Sequence, residues 1–338
     1  MKQIRKIIIV ILSFSMLFRT ANIAYATTVE QSASNNLLDK SRIESLKQYA
    51  EDFIAENNSN EQIISTYELY NLNDEVVAML YNLSTGYIIV NIKDFSIPEF
   101  SFESNSCYSN DNSKKYYNGG LEYYEERTSG SLVDLYDEQE VSKTELDTTN
   151  VYGSDDIVVD VDMVKSAGSD SNELFRASSS QTFSLKHTLP NYSYNNRGIC
   201  GANAAAMYLR YLDLYHDSNI IPNNLYSEKL LIDYLETYIP SGAYSGQVYF
   251  GIMEYYSDQG ITRDIFCSTM NSGDVVRCLT SDTPYIAGFI PSSSLGAHWA
   301  TGYSYKEYSS GTQYLIINDG HGRTGVYMDI TQSDFIIG

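Results

Sequence analysis

The sequence predicts an α+β protein with two folded parts, one over about residues 40–105 and a second, more compact one over residues 181–338. Within each part, helical spacing and short strand-like runs follow one another, as they do when helices and an antiparallel sheet share a core. Between them, from about Ser104 to Ser180, Ser, Asn, Asp, Glu and Tyr dominate and apolar periodicity thins, which reads as a polar linker. A hydrophobic content of 43% supports a sizeable core. A chain of 338 residues has room for two or three units at about 150 residues each.

The first 26 residues have the pattern of a secretory signal. Lys2, Arg5 and Lys6 supply the positive start, Ile7 to Phe18 the short apolar core, and Ala24-Tyr25-Ala26 the small-x-small cleavage site. That core is short for a bilayer span, and Arg19 interrupts it. A cleaved signal over 1–26 predicts a secreted, extracellular mature chain, soluble and free of the membrane once the signal is gone. Residues 27–180 then lie between the signal and the compact part. Net charge is −21, which argues against partners built on phosphate: a nucleic acid or an anionic lipid surface needs Lys and Arg.

In the first folded part, Ser41 to Ala55 has helical spacing (Ile43, Leu46, Tyr49, Ala50, Phe53, Ile54), with Ser41 and Glu44 forming a capping-box pattern. Ile63 to Tyr70, Glu75 to Asn82 and Tyr87 to Ile92 read as strands, the last two as a hairpin. Within the polar stretch, Asp155 to Val164 is a strand-like island. Ala177 to Gln181 has linker composition; Arg176 just before it is a convenient point for cleavage, and an ordinary long loop or insert reads equally well.

The second part opens on Asn195-Asn196-Arg197-Gly198-Ile199-Cys200-Gly201-Ala202-Asn203, a polar loop that becomes a helix with one apolar face at Ala204, Met207, Tyr208, Tyr211, Leu212 and Tyr215. Helices follow over Leu230 to Tyr238, Tyr249 to Gln259 (ended by Gly260) and Ser272 to Thr280, with a strand over Ile261 to Phe266. Pro284 forces an extended entry into the buried strand Tyr285 to Ile290. Gly296 to Tyr305 and Tyr314 to Asp319 read as the last two strands.

Cys200 sits at a loop-to-helix junction. The unpaired amides and dipole of a helix N-terminus favour the thiolate, the reactive form of cysteine. Most cysteines are small buried hydrophobes, so this position needs support elsewhere. The support is His298 near the start of one strand and Asn318-Asp319 at the end of the next. A general base needs a partner that fixes its tautomer and orientation, and an Asn or Asp side-chain oxygen serves. The chain order Cys200, His298, then Asn318 or Asp319 supplies nucleophile, base and orienting group. His321 is the rival base. The remaining cysteines, Cys107, Cys267 and Cys278, fit neither a disulfide scaffold nor a zinc pattern, although Cys267 and Cys278 are candidates to pair. No metal or other cofactor is called for.

Arg197 to Ala206, Ala297-His298-Trp299-Ala300-Thr301-Gly302-Tyr303 and Ile316-Ile317-Asn318-Asp319-Gly320-His321-Gly322 resemble the three motifs of papain-like cysteine peptidases. The short Cys-to-His spacing resembles the bacterial double-glycine leader peptidases, their secreted relatives and streptopain. The resemblance covers about residues 185–338. Gly86 to Asn91 is similar to a segment of streptopain-type propeptides. The resemblance implies a papain-like two-lobed domain, a helical lobe beside an antiparallel β lobe, preceded by a small α+β pro-domain. It also implies peptide-bond hydrolysis through a thioester, on a peptide or protein substrate, with residues 27–180 as a pro-region that acts as an intramolecular inhibitor. Asn318 matches the orienting residue of streptopain-like enzymes and Asp319 that of leader peptidases. Family members usually carry Gln six residues before the nucleophile. Tyr194 stands there in this chain, and Asn195 or Asn196 is the expected substitute donor to the oxyanion. Two other outcomes keep the same fold: acyl transfer of the transglutaminase or amidase kind, and an inactive binding relative.

Overall fold

The computed structural model describes residues 38–57, 60–109, 111–127, 130–136, 138–144, 146, 152, 180–194, 198–289 and 298–338. The chain divides into Met1–Glu44 and Ser45–Gly338. The expected signal over 1–26, the island Asp155 to Val164 and the cleavage point Arg176 lie outside the described residues.

Helix α1 (Lys40–Glu56) buries Leu46, Ala50, Phe53 and Ile54, one stripe at helical spacing. The stripe meets the sheet through Phe53, edge-on to Phe100 at 4.9 Å between ring centroids. The expected strands follow as β1 (Ile63–Tyr70), β2 (Val76–Leu83) and β3 (Tyr87–Asn91). They pair antiparallel in sequence order, and β4 (Glu99–Ser101) lies beside β3. The exposure of β1 alternates along most of its length, whereas β2 from Val77 and β3 up to Val90 are buried on both faces, so the latter two read as nearly unbroken apolar runs.

The stretch predicted to be a polar linker is ordered in its first part. It forms β5 (Lys115–Tyr117), β6 (Tyr123–Glu126), β7 (Leu132–Asp134) and β8 (Glu140–Val141). Tyrosine accounts for the difference. Tyr116, Tyr117, Tyr123 and Tyr124 are at most 2% exposed. Several such rings give their hydroxyls to buried acceptors: Tyr108 donates to the Tyr116 carbonyl and Tyr124 to Glu122. A polar-looking run of tyrosines thereby forms a core.

After β9 (Gln181–Ser184) come α2 (Cys200–Tyr215), α3 (Glu228–Leu235) and α4 (Ser245–Gln259). Gly260, at φ 67°, ends α4 in the left-handed conformation that glycine adopts without penalty. Then follow β10 (Cys267–Thr269), α5 (Ser272–Thr280), β11 (Tyr285–Phe289), β12 (His298–Glu307), β13 (Gln313–Asn318), β14 (Val326–Asp329) and β15 (Phe335–Ile337). The strand expected over Ile261 to Phe266 begins instead at Cys267. Pairing with β15 starts there, opposite Ile337, while the Ile261 amide still bonds the Tyr256 carbonyl at the end of α4.

The result is a mixed α/β arrangement with one large, mostly antiparallel sheet, in the order β10-β15-β11-β12-β13-β14-β4-β3-β2-β1-β5-β6-β7-β8, with β9 against β12. The two sequence-predicted parts meet at β14 and β4, where Tyr327 pairs with Phe100 and Met328 with Glu99. Helices α2 to α4 pack on one face around Tyr208, Tyr211, Ile252, Tyr255 and Trp299. The second core mixes both parts: Leu80, Tyr87, Tyr117 and Tyr123 with Phe289, Ala300, Ile317 and Met328. The expected Cys267–Cys278 pair does not form. Cys267 is exposed on β10, whereas Cys278 is buried on α5 close to Gly338, and none of the four cysteines is in a disulfide.

Candidate active site

Cys200 is the first residue of α2 and is 7% exposed. Ile199, at the cap position, has no side chain to offer the first-turn amides. A polar group at the mouth of this helix therefore meets a field favourable to negative charge. The helix start is fixed from below. The Gly242 amide donates to the Gly198 carbonyl at 2.9 Å. Gly201 lies so close to its neighbours that an added Cβ would stand 3.0 Å from Val248, 3.1 Å from Ile239 and 3.5 Å from the Trp299 ring. Close packing at that point requires the glycine.

Trp299 follows His298, so this contact sets the start of β12 against the start of α2. Trp299 Nε1 donates to the Ala243 carbonyl at 2.7 Å, and two residues on Thr301 Oγ1 donates to the Ala204 carbonyl at 3.0 Å. Trp299 and Thr301 thus face the helices. By the alternation of a strand, His298 and Ala300 face the opposite, mixed core. Ala300 is in that core, and His298 pairs with Phe289, another of its members.

The same register separates the two candidate orienting residues. Asn318 pairs with Thr301 and shares its helix-facing side. Its Nδ2 donates to the Pro190 carbonyl at 3.2 Å, and its buried Oδ1 has no hydrogen-bond partner among the described residues. Asp319, one residue on, lies in a turn on the side of His298, with its side chain fully buried. Its Oδ1 accepts the His321 and Arg323 amides at 2.9 and 3.1 Å. Its Oδ2 accepts Arg323 Nε at 2.6 Å and the Tyr136 hydroxyl at 3.2 Å. The turn is also tied to the start of α2, because Asn203 Nδ2 donates to the Gly320 carbonyl at 3.3 Å and to the Tyr194 carbonyl at 2.9 Å.

Five residues that sequence reasoning did not single out, Tyr87, Glu99, Tyr123, Tyr136 and Arg323, complete this region. Tyr136 stacks on His321 at 4.0 Å between centroids and lies 5.8 Å from the His298 ring. Arg323 donates to the Tyr136 hydroxyl and to that of Tyr87. Glu99, fully buried on β4, accepts hydrogen bonds from Tyr87 and Tyr123. Burial pushes the Glu99 carboxyl above its usual range, with the Arg323 charge and the two hydroxyls working against that. Burial likewise pushes His321 down to about 4, with Asp319 opposing and the charges of Arg323 and His298 adding to it. His321 is therefore a neutral, packed ring at ordinary pH. Glu99 alone carried a sequence signal: a lone charge within Ile97-Pro98-Glu99-Phe100, in a run otherwise apolar.

Asn195 and Asn196, the expected oxyanion donors, lie outside the described residues. Tyr194, at the position where Gln is usual, turns away: its hydroxyl accepts from Lys229 at 2.7 Å and its amide donates to Glu228 at 2.7 Å. A cavity of about 570 Å³ opens beside α4, lined by Tyr238, Pro240, Tyr244, Gln247, Phe250 and Glu254, and none of the predicted site residues borders it. Among the described residues no group of His, Cys, Asp and Glu has the arrangement of a metal site, and no helix is long and apolar enough to cross a membrane.

No family model and no curated protein matches the chain. Among solved structures, xylellain, a cysteine protease from Xylella fastidiosa, is similar at a TM-score of 0.28 and 16% identity, over 46% of this chain and 84% of that one. A likeness that distant decides nothing about fold or chemistry, which here rest on the residues themselves.

Proposed function

We propose that the chain is a secreted cysteine peptidase of bacterial type, made as a precursor, with Cys200 as nucleophile, His298 as base and Asp319 as the group that orients His298. The observation that carries this reading is the convergence at one end of the sheet. The uncapped start of α2 packs through Gly201 on the residue after His298, and through Asn203 on the residue after Asp319. In the proposed cycle His298 takes the Cys200 proton as Sγ attacks the substrate carbonyl. It returns that proton to the leaving amine as the thioester forms, and then activates water to release the acid. Asp319 is preferred as orienting group because it and His298 both border Tyr136. Asn318 remains the second reading because its buried oxygen has no partner among the described residues.

Within this reading the N-terminal part acts on the site as an intramolecular restraint, with Tyr136 against the imidazoles. The test is alkylation of the processed protein by iodoacetamide, with the adduct located by mass spectrometry. Preferential labelling at Cys200 that His298→Ala abolishes, together with peptide hydrolysis that Cys200→Ala abolishes, is expected. Labelling of Cys200 at the rate of an ordinary thiol, unchanged by His298→Ala, refutes a catalytic role. Amine incorporation into a protein without chain cleavage moves the assignment to acyl transfer.

A further inference from the structure

The N-terminal part holds the site by a specific hydrogen bond, and it is built into the sheet that carries the site. We propose that the hydroxyl of Tyr136 occupies the Asp319 oxygen that His298 needs for its ring N–H, and that cutting the chain between residues 153 and 179 leaves this latch in place. The inference rests on the peptidase reading above, with Asp319 as the orienting group.

The first half follows from the acceptor count at Asp319. A carboxylate oxygen has two lone pairs in its plane. Oδ1 is taken by two turn amides, and Oδ2 by Arg323 Nε and the Tyr136 hydroxyl. The amides and Arg323 belong to the same turn and stay with it. Tyr136 comes from the N-terminal part, 183 residues away from Asp319, so it is the partner that can leave. Its ring is stacked on His321 and lies 5.8 Å from His298, and its hydroxyl is anchored a second time by Arg323. With the tyrosine gone, Oδ2 has a free lone pair on the side of the sheet where His298 stands.

The second half follows from how the two parts are joined. Strand β4 extends the sheet at β14, with Glu99 opposite Met328. Phe100 stacks on Tyr327 at 4.4 Å. Gly120 approaches so closely that an added Cβ would lie 3.0 Å from the Met328 sulfur and 3.1 Å from the Phe289 ring. The Ser104 hydroxyl donates to the Thr324 carbonyl at 2.7 Å. Glu99 and Arg323, one from each part, share one network of tyrosine hydroxyls. None of these contacts depends on the covalent connection between residues 153 and 179. A single cut there gives two chains that share one core. Release requires the N-terminal chain itself to be broken or unfolded.

The test uses the full precursor with a recognition sequence for a specific protease replacing residues 166–172. Gel filtration reads docking, and the rate of Cys200 alkylation reads the latch. After the cut, the fragments are expected to co-elute and Cys200 to react within about twofold of the uncut rate. Tyr136→Phe, which keeps the ring and removes the hydroxyl, is expected to raise the alkylation rate of the uncut precursor about tenfold, the scale of one hydrogen bond. A further His298→Ala is expected to cancel the gain. If the core change disturbs folding, glycerol-stabilised samples with native circular dichroism are compared, and a His298 ring N–H proton resonance is expected to move downfield in Tyr136→Phe. Separate elution of a folded C-terminal fragment overturns the docking. An unchanged rate and resonance in Tyr136→Phe overturn the latch, provided His298→Ala slows the processed form. If His298→Ala has no effect in any form, the peptidase reading fails instead, and elution still decides the docking.

Discussion

The burial of His321 makes acid sensitivity a measurable consequence of the fold. Its ring is packed against Tyr136, with Asp319, Arg323 and His298 as the charged or titratable neighbours, and it holds its proton only below about 4. In the unfolded chain an ordinary histidine binds a proton below about 6.5. Between these values the unfolded state binds more protons than the folded one, so stability rises with pH across the window and falls as pH drops from 6.5 towards 4. A difference of about 2.5 units at about 1.36 kcal/mol each amounts to ~3 kcal/mol, fully lost below pH 4. Replacing the ring by a neutral one removes this dependence. Urea unfolding of Cys200→Ala and Cys200→Ala/His321→Phe, measured every half unit from pH 4 to 7, is the assay. The loss of unfolding free energy on acidification is expected to be ~3 kcal/mol smaller in the His321→Phe protein. Glu99, whose carboxyl is pushed up by burial, acts with the opposite sign: its folded form keeps a proton that the unfolded form has released, so its contribution is lost as pH rises. That contribution is common to both proteins and drops out of the comparison. Parallel pH curves for the two proteins would refute the idea that His321 is held neutral.

Other substitutions separate roles within the site and the core. Asp319→Ala is expected to lower kcat/KM on a peptide substrate by about a hundredfold or more in the processed form, and Asn318→Ala by less than about tenfold, since only the former removes the orienting group; the reverse order would transfer that role to Asn318. Arg323→Met leaves Asp319 and Glu99 buried without their shared cation and is expected to cost about 3–5 kcal/mol in denaturant unfolding of the precursor. A change below about 1 kcal/mol, the level of an exposed ion pair, would contradict its burial. Gly302→Ala forces a Cβ to within 2.0 Å of the Tyr285 ring and is expected to destabilise by about 1–3 kcal/mol, read as a lower urea midpoint.

Helices and hairpins were legible wherever one face is apolar and the other is not. The stripe Leu46, Ala50, Phe53 and Ile54 stands out in the sequence because solvent takes the rest of its helix, and the alternation of β1 stands out for the same reason. Strands β5 to β8 were not legible. They are two to four residues long, and the buried rings of β5 and β6 are tyrosines, which read as polar until they are packed. The site divides along the same line. Cys200 and His298 announce themselves through local chemistry, a thiol at a helix start and an imidazole at a strand start. Which of two adjacent residues stands on the imidazole's side is a question of strand face, and a face is fixed by register: the pairing of Thr301 with Asn318 puts that asparagine on the helix side and leaves Asp319 bonded to Arg323. Register depends on partners far along the chain. So does the meaning of Glu99. A carboxyl group inside an apolar run demands polar partners, and the sequence states the demand without saying where it is met. It is met by the hydroxyls of Tyr87 and Tyr123, the first of which also accepts from Arg323, four residues after Asp319, so the residue that looks least at home in the N-terminal part is tied to the turn after β13.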